Sequence, residues 1–139
     1  MAQLFRRPGF WLAAFVLAYF GISFYFESIL YLGFQHTIGN LPVFMQALSS
    51  TIHGYIPMYE SQDCIGKLRC SFLLVHPGFI LYAMAPFYAL SPTPFTLFFF
   101  QSLGIALSAV PLYVLTRSVT GSETKALIAA GMSLAWAYC

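Results

Sequence analysis

Residues 71–117 read SFLLVHPGFILYAMAPFYALSPTPFTLFFFQSLGIALSAVPLYVLTR, and every other part of the chain has to fit around them. Before Arg117 the stretch holds no Asp, Glu, Lys or Arg, and His76 is its one side chain that titrates near neutral pH. A Ser-Pro-Thr-Pro break divides it into two apolar runs, Ser71–Leu90 and Pro94–Thr116. At 1.5 Å per residue each run has the length of a hydrocarbon layer of roughly 30 Å. A surface helix of a soluble domain carries a polar face at helical spacing, and neither run does. The stretch therefore predicts a membrane-embedded helical hairpin.

Composition points the same way. Of 139 residues, 60% are hydrophobic, 19% aromatic and 7% charged, with a mean hydropathy of +0.78. Soluble domains carry about 25% charged residues, so this chain has too few charges to cover a water-facing surface. Its net charge of +2 and the absence of a basic run interleaved with aromatics exclude nucleic acid as a partner class. The expected solvent and partner is membrane lipid.

Outward toward the N-terminus, Arg6 and Arg7 precede an uncharged run from Gly9 to Phe26, then Glu27 and a second apolar patch to Phe34. The run exceeds the roughly 7–15 apolar residues of a signal peptide, and no small-residue cleavage site follows it. It predicts a retained first crossing over about 9–32, with a cytoplasmic N-terminus by the positive-inside rule. Glu27 then reads as an interfacial carboxylate near the outer end of that helix.

Between the first crossing and the hairpin lies an external loop over 33–70. From Gln35 to Cys70 it holds two of the three histidines, two of the four acids and two of the six bases. Leu41, Phe44, Met45, Leu48 and Ile52 recur at helical spacing, with Gln46, Ser49, Ser50 and His53 on the other side. Asn40 suits an N-cap, Pro42 a first turn and Gly54 a helix end. The pattern predicts a short amphipathic helix in the membrane interface. After it, YIPMYESQDCIGKLRC carries Glu60, Asp63, Lys67 and Arg69, and connectors this long are usually functional. Cys64 and Cys70 have the spacing for a small disulfide ring in an oxidising compartment. The nearby histidines and cysteines show no zinc-ligand pattern, and no metal ligands are assigned.

Beyond the loop, His76-Pro77 stands near the start of the hairpin's first helix, while Pro86 and Pro111 fall inside the two runs. Gly104 and Ser108 give a small-xxx-small spacing that suits close helix packing, and Gln101 suits a hydrogen bond to a neighbouring helix. A polar turn, SVTGSETK, leads to Ala126–Cys139, a run too short to span comfortably. The expected fold is all-α: a polytopic helical membrane protein with about four transmembrane helices and a structured first external loop. Residues 1–139 read as one membrane domain, the N-terminal part of a longer protein, with crossings at about 9–32, 71–90 and 94–116 and a partial one at 126–139. That four-crossing order puts Arg117 and Lys125 outside, against the positive-inside rule. In the alternative, Ser71–Leu90 is re-entrant or juxtamembrane and both bases return to the cytoplasm.

The order LPVFMQALSSTIHG, a charged loop, then VHPGFILYAMAPFYALSPTPFTLFFFQSLGIALSAVPLYVLTRSVTGS resembles a family of predicted membrane proteins called domain of unknown function 2079. The resemblance rests on Gln46-Ala47-Leu48 with Gly54, His76-Pro77, Pro86-x-Tyr88, Pro92-x-Pro94, Gln101 and Pro111-Leu112-Tyr113 with Arg117, over roughly 39–139. That family is similar in layout to the GT-C polytopic glycosyltransferases, which use lipid-linked phosphosugars and keep an acid in the first external loop. The resemblance implies a multi-pass protein, of the cell membrane, with a polyprenyl-phosphate sugar donor. Relatives tend to read Asp-Leu-Gly-x-Phe where this chain reads Asn40-Leu41-Pro42-Val43-Phe44. An amide takes no proton, so the acid role passes to Glu60 or Asp63.

Such a transfer needs a carboxylate to deprotonate the acceptor or hold a divalent cation, and positive charge to stabilise the departing phosphate. Glu60 and Asp63 are the candidate acids, with His76 as their helper. Arg69 and Lys67 are candidate phosphate partners, and Asn40 and Gln46 complete the substrate-binding set. Arg69 is preferred over Lys67 because a guanidinium binds two oxygens at once. Taken by itself, each loop acid reads first as an ordinary solvated interfacial charge, ahead of a catalytic group. A non-enzymatic membrane protein, either a transporter fragment or a packing subunit, is the alternative function. A transporter is expected to show internal repeats, and none is visible in this sequence.

Overall fold

Helix α1 (Pro8–Leu32) inverts the burial pattern of a soluble helix. This is seen in a computed structural model that describes residues 8–35, 41–55, 57–59, 61, 71–74 and 78–136. The only fully buried residue of α1 is Ser23, while Leu17, Ile22, Tyr25 and Leu32 are exposed. In water each such side chain forgoes about 1.5–3 kcal/mol of burial. Against lipid tails that cost vanishes, and the polar residue is the one that must turn inward.

The remaining described helices are α2 (Leu41–Ile52), α3 (Ile80–Leu90), α4 (Pro94–Thr120) and α5 (Glu123–Trp136), with a 3-10 turn at Phe72–Leu74. The fold is all-helical, as expected. Two described helices, α1 and α4, are long and apolar enough to cross a membrane. The expected run Ser71–Leu90 is not one helix: Ser71 forms an antiparallel bridge with Tyr59, and Gly78 is non-helical. Helix α3 has 11 residues and so rises about 16 Å, roughly half of a hydrocarbon layer. Hydropathy alone cannot see this, because Ser71 and Phe72 are drawn into a non-local pairing that closes the loop. Both α3 and α4 continue through their internal prolines, Pro86 and Pro111.

The chain forms two compact units, residues 31–98 and residues 1–30 with 99–139. In the second of these, Phe20 and Phe24 of α1 meet Phe99 of α4 edge-on, at ring-centroid distances of 5.3 Å and 6.4 Å. The Ser102 hydroxyl donates to Ser23 Oγ at 3.2 Å. Earlier α1 residues, Leu12, Val16 and Tyr19, pack on a core that includes Ala109 and Tyr113 further along α4. As α1 numbers fall, α4 numbers rise, so the two helices are antiparallel. Ala126, Ala130 and Leu134 of α5 complete that core, the small alanines allowing close approach. Between α4 and α5, Gly121 takes φ +64° and donates its N–H to Arg117 O at 2.9 Å, a left-handed cap that a glycine adopts without strain. Arg117 and Glu123 pair across this turn at 2.7 Å. Both are about half exposed, so the pair contributes little.

In residues 31–98, α2 packs on α3. Val43, Ala47 and Leu48 meet Leu81, Ala85 and Tyr88, with Met58, Phe72 and Leu97 in the same core. The bounds of α2 follow from its local sequence. Gly54 takes φ +74°, and the Gly54 and Tyr55 N–H groups donate to Thr51 O and Ser50 O at 3.3 Å and 3.0 Å. These two bonds make a Schellman ending. The buried stripe is rotated from the expected one. Leu41, Phe44, Met45 and Ile52 are partly buried, whereas Ser50, placed by spacing on the solvent side, is buried. Its hydroxyl has a buried partner, described next.

Candidate functional site

Three polar side chains on α2 hold the start of the charged loop. Ser50 Oγ accepts the Tyr59 N–H at 2.9 Å and donates to Ala47 O at 2.9 Å. Thr51 Oγ1 accepts the Met58 N–H at 2.9 Å and donates to Ala47 O at 2.8 Å. Gln46 Oε1 accepts both the N–H and the hydroxyl of Ser61, each at 3.0 Å. Helix-interior serines and threonines commonly bond back to a carbonyl one turn earlier. Here the same hydroxyls also receive a returning backbone.

The far end of the loop is clamped to this start. Phe72 N–H donates to Met58 O at 2.7 Å, Ser71 Oγ donates to Pro57 O at 3.4 Å, and Tyr59 and Ser71 form the bridge. The Phe72 ring lies 5.2 Å from that of Phe44, and the Met58 side chain is fully buried. The result is a closed loop base whose two feet, Tyr59 and Ser71, bracket a segment that carries two acids and two bases in its sequence. Beside this base is an open depression lined by Ser50, Gly54, Tyr55 and Tyr59. Tyr55 is exposed and stacks near His53, whose Nδ1 lies 2.8 Å from Ser49 O.

Of the expected site residues, Gln46 falls within the described part, where its oxygen accepts from Ser61. Asn40, Glu60, Asp63, Lys67, Arg69 and His76 lie outside the described residues, as do Cys64 and Cys70. Tyr59 and Ser61, the sequence neighbours of Glu60, are both tied to α2. Among the described residues no group of three or more His, Cys, Asp or Glu side chains is placed to hold a metal ion. Sequence reasoning missed Ser50 and Thr51. The available signal was their position on the half of α2 nearest a long polar connector.

Gln46→Ala removes the acceptor of two hydrogen bonds. It is expected to loosen the loop at Ser61 by about 1 kcal/mol, while Gln46→Glu keeps an accepting oxygen. Amide exchange at Ser61 checks this: unchanged protection in Gln46→Ala would show that the contact holds nothing.

A long apolar helix with its serine turned inward, an antiparallel partner of the same kind and a short amphipathic helix define an all-helical membrane protein. The particular family is then plain: the chain belongs to the family described as predicted membrane protein, domain of unknown function 2079, which matches residues 32–137. Comparisons with curated proteins and with solved structures gave no significant match.

Proposed function

We propose that this chain carries the loop site of a GT-C-like glycosyltransferase that uses a lipid-linked phosphosugar at the external membrane face. The observation that supports the reading most is the clamped loop base. A segment with acids and bases in its sequence leaves from Tyr59, which α2 holds through Ser50, and ends at Ser71, which pairs with Tyr59. The phosphate of a lipid-linked donor resides at the membrane face, so its partners have to be held there rather than in free solution.

In this reading the acceptor hydroxyl attacks the anomeric carbon and loses its proton to Glu60, with Asp63 as the second acid. The bond from that carbon to the phosphate oxygen breaks, and the lipid phosphate leaves with the electron pair. Arg69 and Lys67 stabilise the charge it gains, a role for which preorganised cations are effective. His76 orients the acid or bonds the phosphate. Asn40 binds without exchanging a proton, since an amide does not titrate. A divalent cation, if used, is held by the loop acids.

The test is direct. Full-length protein in lipid vesicles, given a polyprenyl-phosphate sugar and an acceptor, is expected to release polyprenyl phosphate. The Glu60→Gln/Asp63→Asn double variant is expected to fall to background. Release that is equal in both proteins removes the loop acids from the chemistry.

A further inference from the structure

We infer that the segment between α1 and α4, α3 included, does not cross the membrane but returns to the face at which α1 ends, with the exposed apolar side of α3 seated in the acyl chains of that one leaflet. This inference does not depend on glycosyl transfer.

Direction is the first argument. Contacts along α1 and α4 run in opposite order, from Ser23 against Ser102 to Leu12 and Val16 on the core around Ala109 and Tyr113. Near the other ends, Tyr31 meets Phe95 and Phe98, both at 5.8 Å. The end of α1 and the start of α4 are therefore at one level. If both helices cross, the chain between them begins and ends on the same side, and a single crossing by α3 is ruled out.

Length and surface agree. Helix α3 has 11 residues, which rise about 16 Å, the depth of roughly one leaflet. Leu81, Ala85 and Tyr88 face α2. Phe79, Ile80, Phe87 and Leu90 are exposed, Leu90 by 85%. No charged residue lies on α3, and the Thr93 N–H and Thr96 hydroxyl bond Ser91 O at 2.8 Å and 2.6 Å. This short turn delivers the chain from α3 into the start of α4. Acyl chains are the occupant that suits an uncharged face joined without a linker to a helix of membrane-crossing length.

Charge distribution is the third argument. Arg6 and Arg7 directly precede α1 in the sequence, and Arg117 and Lys125 flank the turn that follows α4, with Glu123 beside them. In the sequence, Lys67 and Arg69 lie between α1 and α4, together with Glu60 and Asp63. The positive-inside rule then places the start of α1 and the end of α4 together in the cytoplasm.

The test uses the full chain with Cys64, Cys70 and Cys139 changed to Ser, and single probes Ser61→Cys, Ser91→Cys and Ser122→Cys. A membrane-impermeant maleimide on intact cells is expected to label the first two and to reach Ser122→Cys only after permeabilisation. Ser91→Cys that labels only after permeabilisation, or fails to label in either state, overturns the inference. So does Ser122→Cys that labels from outside. A nitrobenzoxadiazole probe on Phe87→Cys adds the lipid readout: nitroxide-labelled acyl chains are expected to quench it strongly, and the absence of quenching removes α3 from the leaflet.

Discussion

Replacing Glu60 by Gln in the full-length protein is expected to lower sugar transfer by on the order of 10²-fold or more, with expression and membrane insertion unchanged. The substitution keeps the shape and polarity of the side chain and removes only its capacity to take a proton. The choice of Glu60 over Asp63 rests on the backbone around it. Tyr59 and Ser61 are each hydrogen-bonded to α2, whereas Asp63 lies further from either anchor in the sequence. Positioning of this kind is what makes general-base catalysis efficient. Asn40→Asp restores the residue type that relatives tend to have and is expected to raise transfer. Steady-state rates with a polyprenyl-phosphate sugar check both. Intact transfer in Glu60→Gln and in Asp63→Asn alike would mean that the loop acids are ordinary interfacial charges.

How much of this was legible in the sequence varied with the range of the interaction. Helix α2 was readable to the residue because its signals are local: Pro42 in the first turn and Gly54 at the left-handed end. Helices α1 and α4 were readable because an uncharged run of that length has few alternatives. The start of α3 was not. Beyond Pro77 and Gly78 the sequence offers no local break there, and the pairing of Ser71 with Tyr59 depends on a residue far away in the chain. The sequence did contain one long-range hint, the clash between four crossings and the position of Arg117 and Lys125. The antiparallel contacts of α1 and α4 now give that hint a physical basis. Ser50 shows the other limit. Spacing separates apolar from polar positions but cannot tell a hydroxyl that meets water from one that meets a returning backbone N–H. Of the candidate site, Gln46 was legible from the sequence as a polar position on α2, but its contact with Ser61, a residue far along the chain, was not.

The clearest expected loss of stability is at Met58. This residue has φ +53°, a left-handed conformation that costs a non-glycine residue roughly 1–2 kcal/mol. Glycine would relieve that cost, so backbone considerations alone favour Met58→Gly. Packing opposes it: the Met58 side chain is fully buried in the core shared by α2 and α3, and truncating such a residue costs about 2–5 kcal/mol. Glycine also gives the unfolded chain about 1 kcal/mol more conformational entropy to lose. Burial is the larger effect, so both Met58→Ala and Met58→Gly are expected to destabilise residues 31–98. Met58→Leu, close in volume, is expected to stay within about 1.5 kcal/mol of the native protein. The consequence reaches the site because the Met58 carbonyl receives the Phe72 N–H and its own N–H is held by Thr51. Loss of the side chain releases both feet of the charged loop together. Denaturant unfolding in detergent micelles, followed by protease cleavage within 61–71, measures the effect. A Met58→Gly protein that resists cleavage as well as the native one would mean that strain, not burial, governs this position.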